Sequence, residues 1–442
     1  MKKHKWFLLA VVFICCMALP VFAGGKQETV PDAVEKEEVK EGPVTLTVWD
    51  FKYAEEVTGA AFKKMDEMFM AENPGIKIDH IAQPETTYYE MLMATFTAET
   101  DVDVVLLHTD NRAWNMVDFY AVLDSYIQGS KDTYAPSARI ACSASKNADS
   151  DIRMLPLTAQ GLGMYYNKIN FEKAGLDPEK APVAWSDFLA ACEALKNAGI
   201  PPIILGNQGK AFGIDFVYRV ILATLYGQRI DGFADGSSNF TDQEFRTATR
   251  MIKTLYDKGY INVENGSIPY FMDAINEFKA GNGGFFCGLT SDIAHWKDFG
   301  DALGYENVGY FPSPVHPDAK FSDRQVNQGA GIAFAVVNYS DNVEEAAKYI
   351  SFFTSGKAGK IFMDASGAIV PNNTIPVDES NKMLINILDK MNNNAAPDYL
   401  TRVPGGMVND FYNYLSLYFI AEEISEGDFI QAVQKLYENT LD

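Results

Sequence analysis

The segment from Val44 to Leu107 alternates between two hydrophobic periods, and this alternation limits the possible folds more than any other feature of the chain. "VTLTVWDF" alternates apolar and polar residues, which is typical of a strand. "GAAFKKMDEMFMAE" places Phe62, Met65 and Phe69 on one helical face before an Asn-Pro-Gly stop. "IKIDHI", "YYEMLMATFTAE" and "DVDVVLL" then indicate a strand, a helix and a strand. This succession predicts an α/β fold built on an open sheet.

Two helix starts can be predicted from side chains that accept hydrogen bonds. Thr87 with Glu90 matches a capping box before "YYEMLMATFTAE". Ser186 is placed to cap "WSDFLAACEALKNAG", which carries an apolar face and ends at a glycine. We therefore expect side-chain caps at both positions.

The first 43 residues have a different composition from the rest. "MKKHK" is basic, "WFLLAVVFICCMALPV" is apolar, and "VFA" ends in a small residue, so residues 1–23 are predicted to be a signal peptide. Cys15 and Cys16 allow a lipid anchor, although Ile14, Phe13 and Val12 are larger than the residues usual at a lipidation site. Residues 24–43 are charged, lack aromatics and are predicted to be a disordered acidic tether. We expect an exported protein, in the periplasm or on the outer face of the cytoplasmic membrane.

Charge and cysteine usage exclude several classes of function. The formal net charge of −22 argues against nucleic acid and acidic membrane surfaces as partners. Beyond the apolar leader only Cys142, Cys192 and Cys287 remain, in a spacing that matches no zinc pattern and implies no disulfide framework. Cys192 and Cys287 are predicted to be small buried side chains. No metal site and no cofactor are expected.

Enzyme signatures are mostly absent. The chain has no H-E-x-x-H, G-x-S-x-G or P-loop motif. "GAGIAF" lacks the last glycine of a dinucleotide fingerprint, and "DGFADGSSNFTD" departs from a calcium loop at two ligand positions. No catalytic residue is therefore assigned, and the chain is interpreted as a non-enzyme. A glycosidase with two carboxylates stays open, because acidic residues are plentiful.

Clusters of polar and aromatic residues recur at predicted strand ends and in loops: "WDFKY" after the first strand, "HTDNRAW" after the third, "TAQGLGMYYN" at a crossover and "SDIAHW" later in the chain. In open α/β sheets, ligands bind beyond the carboxyl ends of the strands. A sugar suits such a lining, because its C–H faces stack on aromatic rings and its hydroxyls pair with carboxylates and amides. Trp114 could serve such a stacking site or anchor the helix that follows it.

The stretch from Leu155 to Gly206 resembles the extracellular solute-binding proteins of ABC-type sugar importers, the maltose-binding-protein relatives. It carries "YNK", "FEKAGL", a Trp before an amphipathic helix and "GIPPIILG" in the family's order. "AINEFKAGNGGFFCG", "GAGIAFAVVNYSDNVEEAAKYISFFTS" and "SEGDFIQAVQKLYEN" extend the likeness over nearly all of the chain beyond the leader.

The resemblance implies a two-lobed periplasmic-binding-protein fold of type II, each lobe an open sheet flanked by helices. The N-terminal lobe would hold residues 44–157 and 331–371, and the C-terminal lobe residues 158–330 and 372–442. Such a receptor captures a mono- or oligosaccharide between its lobes, closes around it and delivers it to the transmembrane subunits of an ABC permease. A monomer is expected. The alternatives are a receptor of the same fold for an oligopeptide, polyamine or anion, and the glycosidase.

The resemblance makes ten residues candidates for ligand contacts: Asp50, Gln83, Glu85, His108, Asp110, Gln160, Asp215, Trp296, Arg402 and Met407. Asp110 would accept hydrogen bonds from sugar hydroxyls, with His108 beside it. The chain departs from the family where a sugar-stacking tryptophan is common. Thr290 occupies that place, and Trp296 follows six residues later. Trp296 could therefore lie in the cleft or in the core.

Overall fold

The structure is a computed structural model that describes residues 42–145, 149–208, 211–261, 270–290 and 294–441. Its strands are β1 Val44–Asp50, β2 Ile76–Ala82, β3 Val104–His108, β4 Leu155–Pro156, β5 Ala159–Asn167, β6 Ile203–Ile204, β7 Phe285–Leu289, β8 Val308–Phe311, β9 Gln325–Ala330, β10 Ile332–Val336 and β11 Ala395–Ala396. Its α-helices are α1 Glu56–Glu72, α2 Tyr88–Ala98, α3 Asn111–Trp114, α4 Pro136–Ala141, α5 Lys168–Lys173, α6 Trp185–Asn197, α7 Phe212–Tyr226, α8 Gln243–Asp257, α9 Phe271–Lys279, α10 His295–Leu303, α11 Val343–Phe353, α12 Gly356–Ser366, α13 Lys382–Asn393, α14 Val408–Leu415 and α15 Glu426–Leu441.

The predicted succession from β1 to β3 builds most of the first sheet, whose order is β2-β1-β3-β10-β4. β1 pairs in parallel with both β2 and β3, as strands joined by crossover helices do. β10 pairs antiparallel with β3, with Phe334 opposite Leu106. The sheet is mixed because β10 enters directly from the second sheet and not through a crossover helix.

The second sheet is centred on β5 and has the order β11-β9-β5-β7-β6, with β8 also pairing with β5. Most of β5 is buried, which explains its run of apolar and aromatic residues. A register shift between Gln160 and Gly161 interrupts the pairing of β5 with β9. This irregularity lies at Gln160, where the chain passes from the first sheet to the second.

Helices cover both sheets through the faces that the sequence indicates. In α1, Phe62, Met65 and Phe69 are fully buried, so the predicted apolar face is confirmed. In α6, Cys192 and Leu195 are fully buried. Burial of each large apolar side chain contributes about 1.5–3 kcal/mol, and these faces hold the helices against the sheets.

Both predicted side-chain caps are wrong. Thr87 stands at the N-cap of α2, but its side chain makes no capping hydrogen bond because a 3-10 turn, Glu85–Thr87, leads straight into the helix. Its hydroxyl instead donates to Met91 Sδ at 3.5 Å. The N-cap of α6 is Ala184, two residues before the predicted cap, so Ser186 lies inside the first turn of the helix.

The predicted signal peptide and residues 24–41 of the predicted tether lie outside the described residues. Within the described part of the chain, no helix is long and apolar enough to cross a bilayer. Cys142, Cys192 and Cys287 are free, buried thiols, which confirms the prediction for the last two. Burial raises the pKa of each thiol, so none is set up as a nucleophile.

Candidate ligand-binding site

A cavity of about 1250 Å³ opens at the carboxyl end of β3, between segments that belong to the two sheets. One wall comes from residues 108–115, which follow β3, and from α4. The end of β9, which packs against α4, and the segment from Ala395 to Asn409 complete the lining. The cavity therefore occupies the edge of the first sheet at which open α/β folds bind ligands.

Asp110 lies on the wall that follows β3, where the strand gives way to the short helix α3. Its Oδ1 accepts a hydrogen bond from the backbone N–H of Arg112 at 2.8 Å, as a helix-starting Asp does. The Arg112 guanidinium also pairs with Asp110, with 2.6 Å between Nη2 and Oδ2. Both side chains are about half exposed, at 48% for Asp110 and 49% for Arg112. The carboxylate is thus oriented by the protein yet accessible from the cavity.

His108, the last residue of β3, is held by two aromatic side chains. Its ring stacks on Phe51 with 4.5 Å between centroids, and its Nδ1 lies 2.9 Å from the Tyr89 hydroxyl. Glu85 Oε1 lies 3.6 Å from the other ring nitrogen. The Arg112 guanidinium covers the Tyr89 ring at 4.5 Å, which adds a cation–π contact to the same group. Tyr89 therefore supports both His108 and Arg112.

A second ion pair lines the part of the cavity formed by residues of the second sheet's segments. Arg402 Nε donates to Asp231 Oδ1 at 2.7 Å, and both residues line the cavity. Asp231 comes from the 3-10 helix Gly227–Ala234, more than a hundred residues earlier in the chain. The described lining residues carry two carboxylates and two guanidinium groups, and the formal charges of these four groups sum to zero.

The remaining lining is rich in amides. Six of the described lining residues carry side-chain amides: Asn115, Gln160, Gln228, Asn327, Gln328 and Asn409. Each amide offers a donor and an acceptor in a fixed plane. The half-buried indole of Trp114 and the aliphatic side chains of Ile140, Leu400 and Val408 add apolar surface. Donors, acceptors and apolar surface are therefore interspersed along the cavity.

Four of the ten residues named from the sequence line this cavity: His108, Asp110, Gln160 and Arg402. Glu85 is exposed and lies beside His108 without lining the cavity, and Gln83 is half-buried on the same connection after β2. Their predicted roles in ligand binding stay predictions.

Asp50 is fully buried within the first sheet and does not line the cavity. Its Oδ2 lies 3.2 Å from His80 Nε2, and His80 Nδ1 lies 2.9 Å from Asp66 Oδ2. Burial alone would lower the pKa of His80, but its hydrogen bonds to Asp50 and Asp66 outweigh burial and raise the pKa to about 9. The contacts of Asp50 in this structure are thus those of a buried ionic cluster.

Asp215 and Met407 lie behind the cavity wall. Asp215 is fully buried in α7, accepts a hydrogen bond from the Tyr399 hydroxyl and lies 3.8 Å from Arg219. Burial raises the pKa of Asp215 to about 7, against the opposing effects of Arg219 and Tyr399. Met407 is 1% exposed and packs in the core of the second sheet.

Trp296 packs in the core and not against the cavity. It is 6% exposed, and its Nε1 donates to the carbonyl oxygen of Gly367 at 2.8 Å. Thr290, at the family's stacking position, accepts a hydrogen bond from the backbone of Gly161 at 2.9 Å. The indole that lines the cavity is that of Trp114. From the sequence alone, either tryptophan is compatible with the core or with the cavity.

Several lining residues were missed from the sequence, among them Gln228, Asp231, Asn327 and Gln328. Asn327 and Gln328 form a pair of amides in "VNQGAG", inside an otherwise buried strand that ends at glycines. Consecutive amides in a buried strand require partners, and this pair was the available signal. "GQRIDG" carries no comparable signal.

The chain is similar in sequence to known binding proteins. The family of bacterial extracellular solute-binding proteins matches residues 53–360, more than half of the chain. A Brucella abortus protein named as a binding protein is 28% identical over 317 residues, which are 70% of this chain and 72% of that protein. The Streptococcus mutans multiple sugar-binding protein is 23% identical over 365 residues, 78% of this chain and 79% of its own.

Solved structures share the fold. A chitin oligosaccharide binding protein superposes with a TM-score of 0.72 and 20% identity, covering 90% of this chain and 99% of its own. The α/β architecture of two sheets flanked by helices, predicted from the sequence, is confirmed by this likeness. The predicted family is confirmed as well: this chain belongs to the bacterial extracellular solute-binding proteins.

Proposed function

We propose that this protein is an exported receptor that captures an oligosaccharide in the cavity beyond β3 and delivers it to an ABC permease. The observation that carries the proposal is the cavity itself. It combines an indole, six amides among its described lining residues and charges that cancel. Such a lining fits a neutral, hydroxyl-rich ligand.

The balance of charge favours a sugar over the other solutes that this fold can bind. A polyamine site needs an excess of carboxylates over guanidinium groups, and an anion site needs an excess of guanidinium groups over carboxylates. Here Asp110 is paired with Arg112, and Asp231 with Arg402. A neutral ligand leaves both pairs intact, and its hydroxyls can donate to the carboxylates and accept from the guanidinium groups.

The size of the cavity favours an oligosaccharide over a single sugar. Its volume of about 1250 Å³ exceeds the roughly 300–1,000 Å³ of pockets that hold drug-sized molecules. A monosaccharide would fill only part of it and leave several amides facing water. The names of two similar proteins support a sugar ligand, since one is a multiple sugar-binding protein and another a chitin oligosaccharide binding protein.

We propose that residues 44–157 and 331–371 form one lobe, and residues 158–330 and 372–442 the other. The strands of the first sheet all fall in the former ranges and those of the second sheet in the latter. The two crossover segments hydrogen-bond to each other: Leu157 N donates to Ile332 O, and Gly331 N donates to Thr158 O, both at 2.9 Å. Closure around the ligand would bend at these paired segments, driven by contacts that the ligand makes with both lobes.

The geometry gives a glycosidase less support. Asp110 and Asp231 are the carboxylates among the described lining residues. Each already accepts a hydrogen bond from a guanidinium group, whereas a general acid has to donate its own proton to the leaving oxygen.

A ligand panel tests the proposal. The thermal unfolding midpoint would be measured with raffinose, maltotriose, xylotriose and chitotriose, and with glucose, spermidine, trialanine and phosphate as the other classes. We expect at least one trisaccharide to raise the midpoint, because a ligand at 100 times its Kd adds about 2.7 kcal/mol to the free energy of unfolding. Stabilisation by spermidine, trialanine or phosphate alone would exclude the proposal.

Recovery of the bound sugar separates a receptor from a glycosidase. The trisaccharide that binds would be incubated with the protein, released by heating and analysed by chromatography. A receptor returns it intact, whereas shortened products would support the enzyme.

A further inference from the structure

Gln328 is a lining amide with one end held by a buried carboxylate. It lies on β9 and lines the cavity. Its Nε2 donates to Asp398 Oδ2 at 2.8 Å. A carboxylate at this position accepts and does not donate, so the nitrogen end of the amide must face Asp398.

Asp398 is itself held rigidly from two sides. It is 1% exposed, and its Oδ1 accepts a hydrogen bond from the backbone N–H of Leu400 at 3.0 Å. Its Oδ2 accepts from Arg219 Nε at 2.7 Å and also from Arg219 Nη2. Arg219 is 4% exposed on α7. A buried pair of this kind is costly to separate, because either partner alone would be a desolvated charge.

The neighbouring amide of Asn327 has a different role. Its Nδ2 donates to the backbone oxygen of Met391 at 3.1 Å, and its Oδ1 accepts from the backbone N–H of Gly329 at 2.7 Å. Both ends of this amide are therefore occupied by the main chain, and Asn327 shapes the wall. In Gln328 the nitrogen end donates to the side chain of Asp398, which turns the oxygen end of the amide away from that carboxylate.

We propose that Gln328 is a specificity-determining residue whose Oε1 accepts a hydrogen bond from one hydroxyl of the ligand, and that Asp398 and Arg219 are positioning residues that prevent the amide from turning over. This inference rests on the proposed function, since it names the group that reads the sugar. A freely turning glutamine would offer either a donor or an acceptor. A fixed one selects a ligand that donates at that point, and it disfavours a deoxy or fluoro substituent there.

Monofluoro analogues of the trisaccharide that binds test this role, because fluorine cannot donate a hydrogen bond. Wild-type protein should lose about tenfold in affinity for one analogue, the loss expected for one hydrogen bond. Gln328→Met, which keeps the length of the side chain, should bind that analogue and the parent sugar equally well. Gln243→Met is the matched control, because Gln243 is exposed on α8 and lies outside the cavity lining. It should discriminate as the wild type does.

If Gln328→Met still discriminates against every analogue that the wild type rejects, the inference is wrong. The orientation of the amide can also be measured without a ligand, from hydrogen exchange of the Gln328 side-chain NH₂ in NMR spectra. We expect slow exchange in the wild type and faster exchange in Asp398→Asn, which can turn its own amide and release Gln328. Fast exchange in the wild type would overturn the inference.

Failure of the proposed function gives a different result. In that case no trisaccharide binds the wild type, while the NH₂ signal of Gln328 still reports whether Asp398 holds it.

Discussion

His80 Nε2 lies 3.2 Å from Asp50 Oδ2 inside the first sheet, and the imidazole side chain is 1% exposed. Asp66 contacts the other ring nitrogen, and the Tyr53 ring stacks on the imidazole with 3.9 Å between centroids. A histidine between two buried carboxylates is stabilised in its charged form. Asp50, expected from the sequence to contact a ligand, is thereby tied to the stability of its sheet.

This cluster predicts a fall in stability at alkaline pH. The folded protein holds the His80 proton up to about pH 9, whereas the unfolded chain releases it near 6.5. The stabilisation is therefore complete below pH 6.5 and is lost as the pH rises to 9, by on the order of 3 kcal/mol. Urea unfolding across this window should show the loss. His80→Gln should be less stable at pH 6.5 but lack the slope, and a wild-type slope in that variant would contradict the assignment.

The raised pKa of Asp215 predicts a second pH range over which the stability of the protein changes. Burial raises its pKa from 3.8 to about 7, so the folded state binds this proton more tightly than the unfolded chain does. Stability from this group is present below pH 3.8 and falls as the pH rises through 7. Asp215→Asn should keep the hydrogen bond from Tyr399 and lose this component of the pH dependence. Thermal midpoints of the two proteins between these pH values provide the measurement, and parallel curves would refute it.

Removal of the Asp110 carboxylate should weaken ligand binding more than it weakens the fold. Asp110→Ala should raise Kd for the cognate sugar about 10- to 100-fold, the range for hydrogen bonds to a charged group. The free energy of unfolding should fall by only about 1 kcal/mol, because the helix-starting bond to Arg112 N is lost. Isothermal titration and urea unfolding measure the two effects. Asp132→Ala is the control, since Asp132 also pairs with an arginine but is 96% exposed and outside the cavity.

Substitution of Trp114 should mainly weaken ligand binding, whereas substitution of Trp296 should mainly lower the stability of the fold. Trp114→Ala should reduce affinity about tenfold or more through lost stacking on the ligand, with a modest loss of stability because the indole is half-buried. Trp296→Ala should cost about 3–5 kcal/mol of unfolding free energy, as large-to-small substitutions in a core do. Its folded fraction should bind with wild-type affinity. The reverse pattern in titration and unfolding experiments would place the stacking role on Trp296.

The sequence by itself determined the order of elements from β1 to β3 and the faces by which the helices pack. The hydrophobic period is a local property of the sequence. Within α1 it is visible in the spacing of the buried residues Phe62, Met65 and Phe69. The same local pattern indicates where β3 ends, and so His108 and Asp110 could be named before their surroundings were known. The family resemblance added Gln160 and Arg402, which the fold brings to the same cavity.

Tertiary structure decided which polar residues face the cavity and which lie behind it. Asp215 and Asp110 look alike in sequence, since each follows a predicted strand, yet Asp215 is covered by Tyr399 and Arg219. Helix caps were also decided by context, because the turn before Thr87 replaced the bond that its side chain could make. The Gln328 amide donates to Asp398, 70 residues away, and Asp398 in turn pairs with Arg219 of α7. Contacts between distant segments form only when the sheets and helices pack, and no local periodicity encodes them.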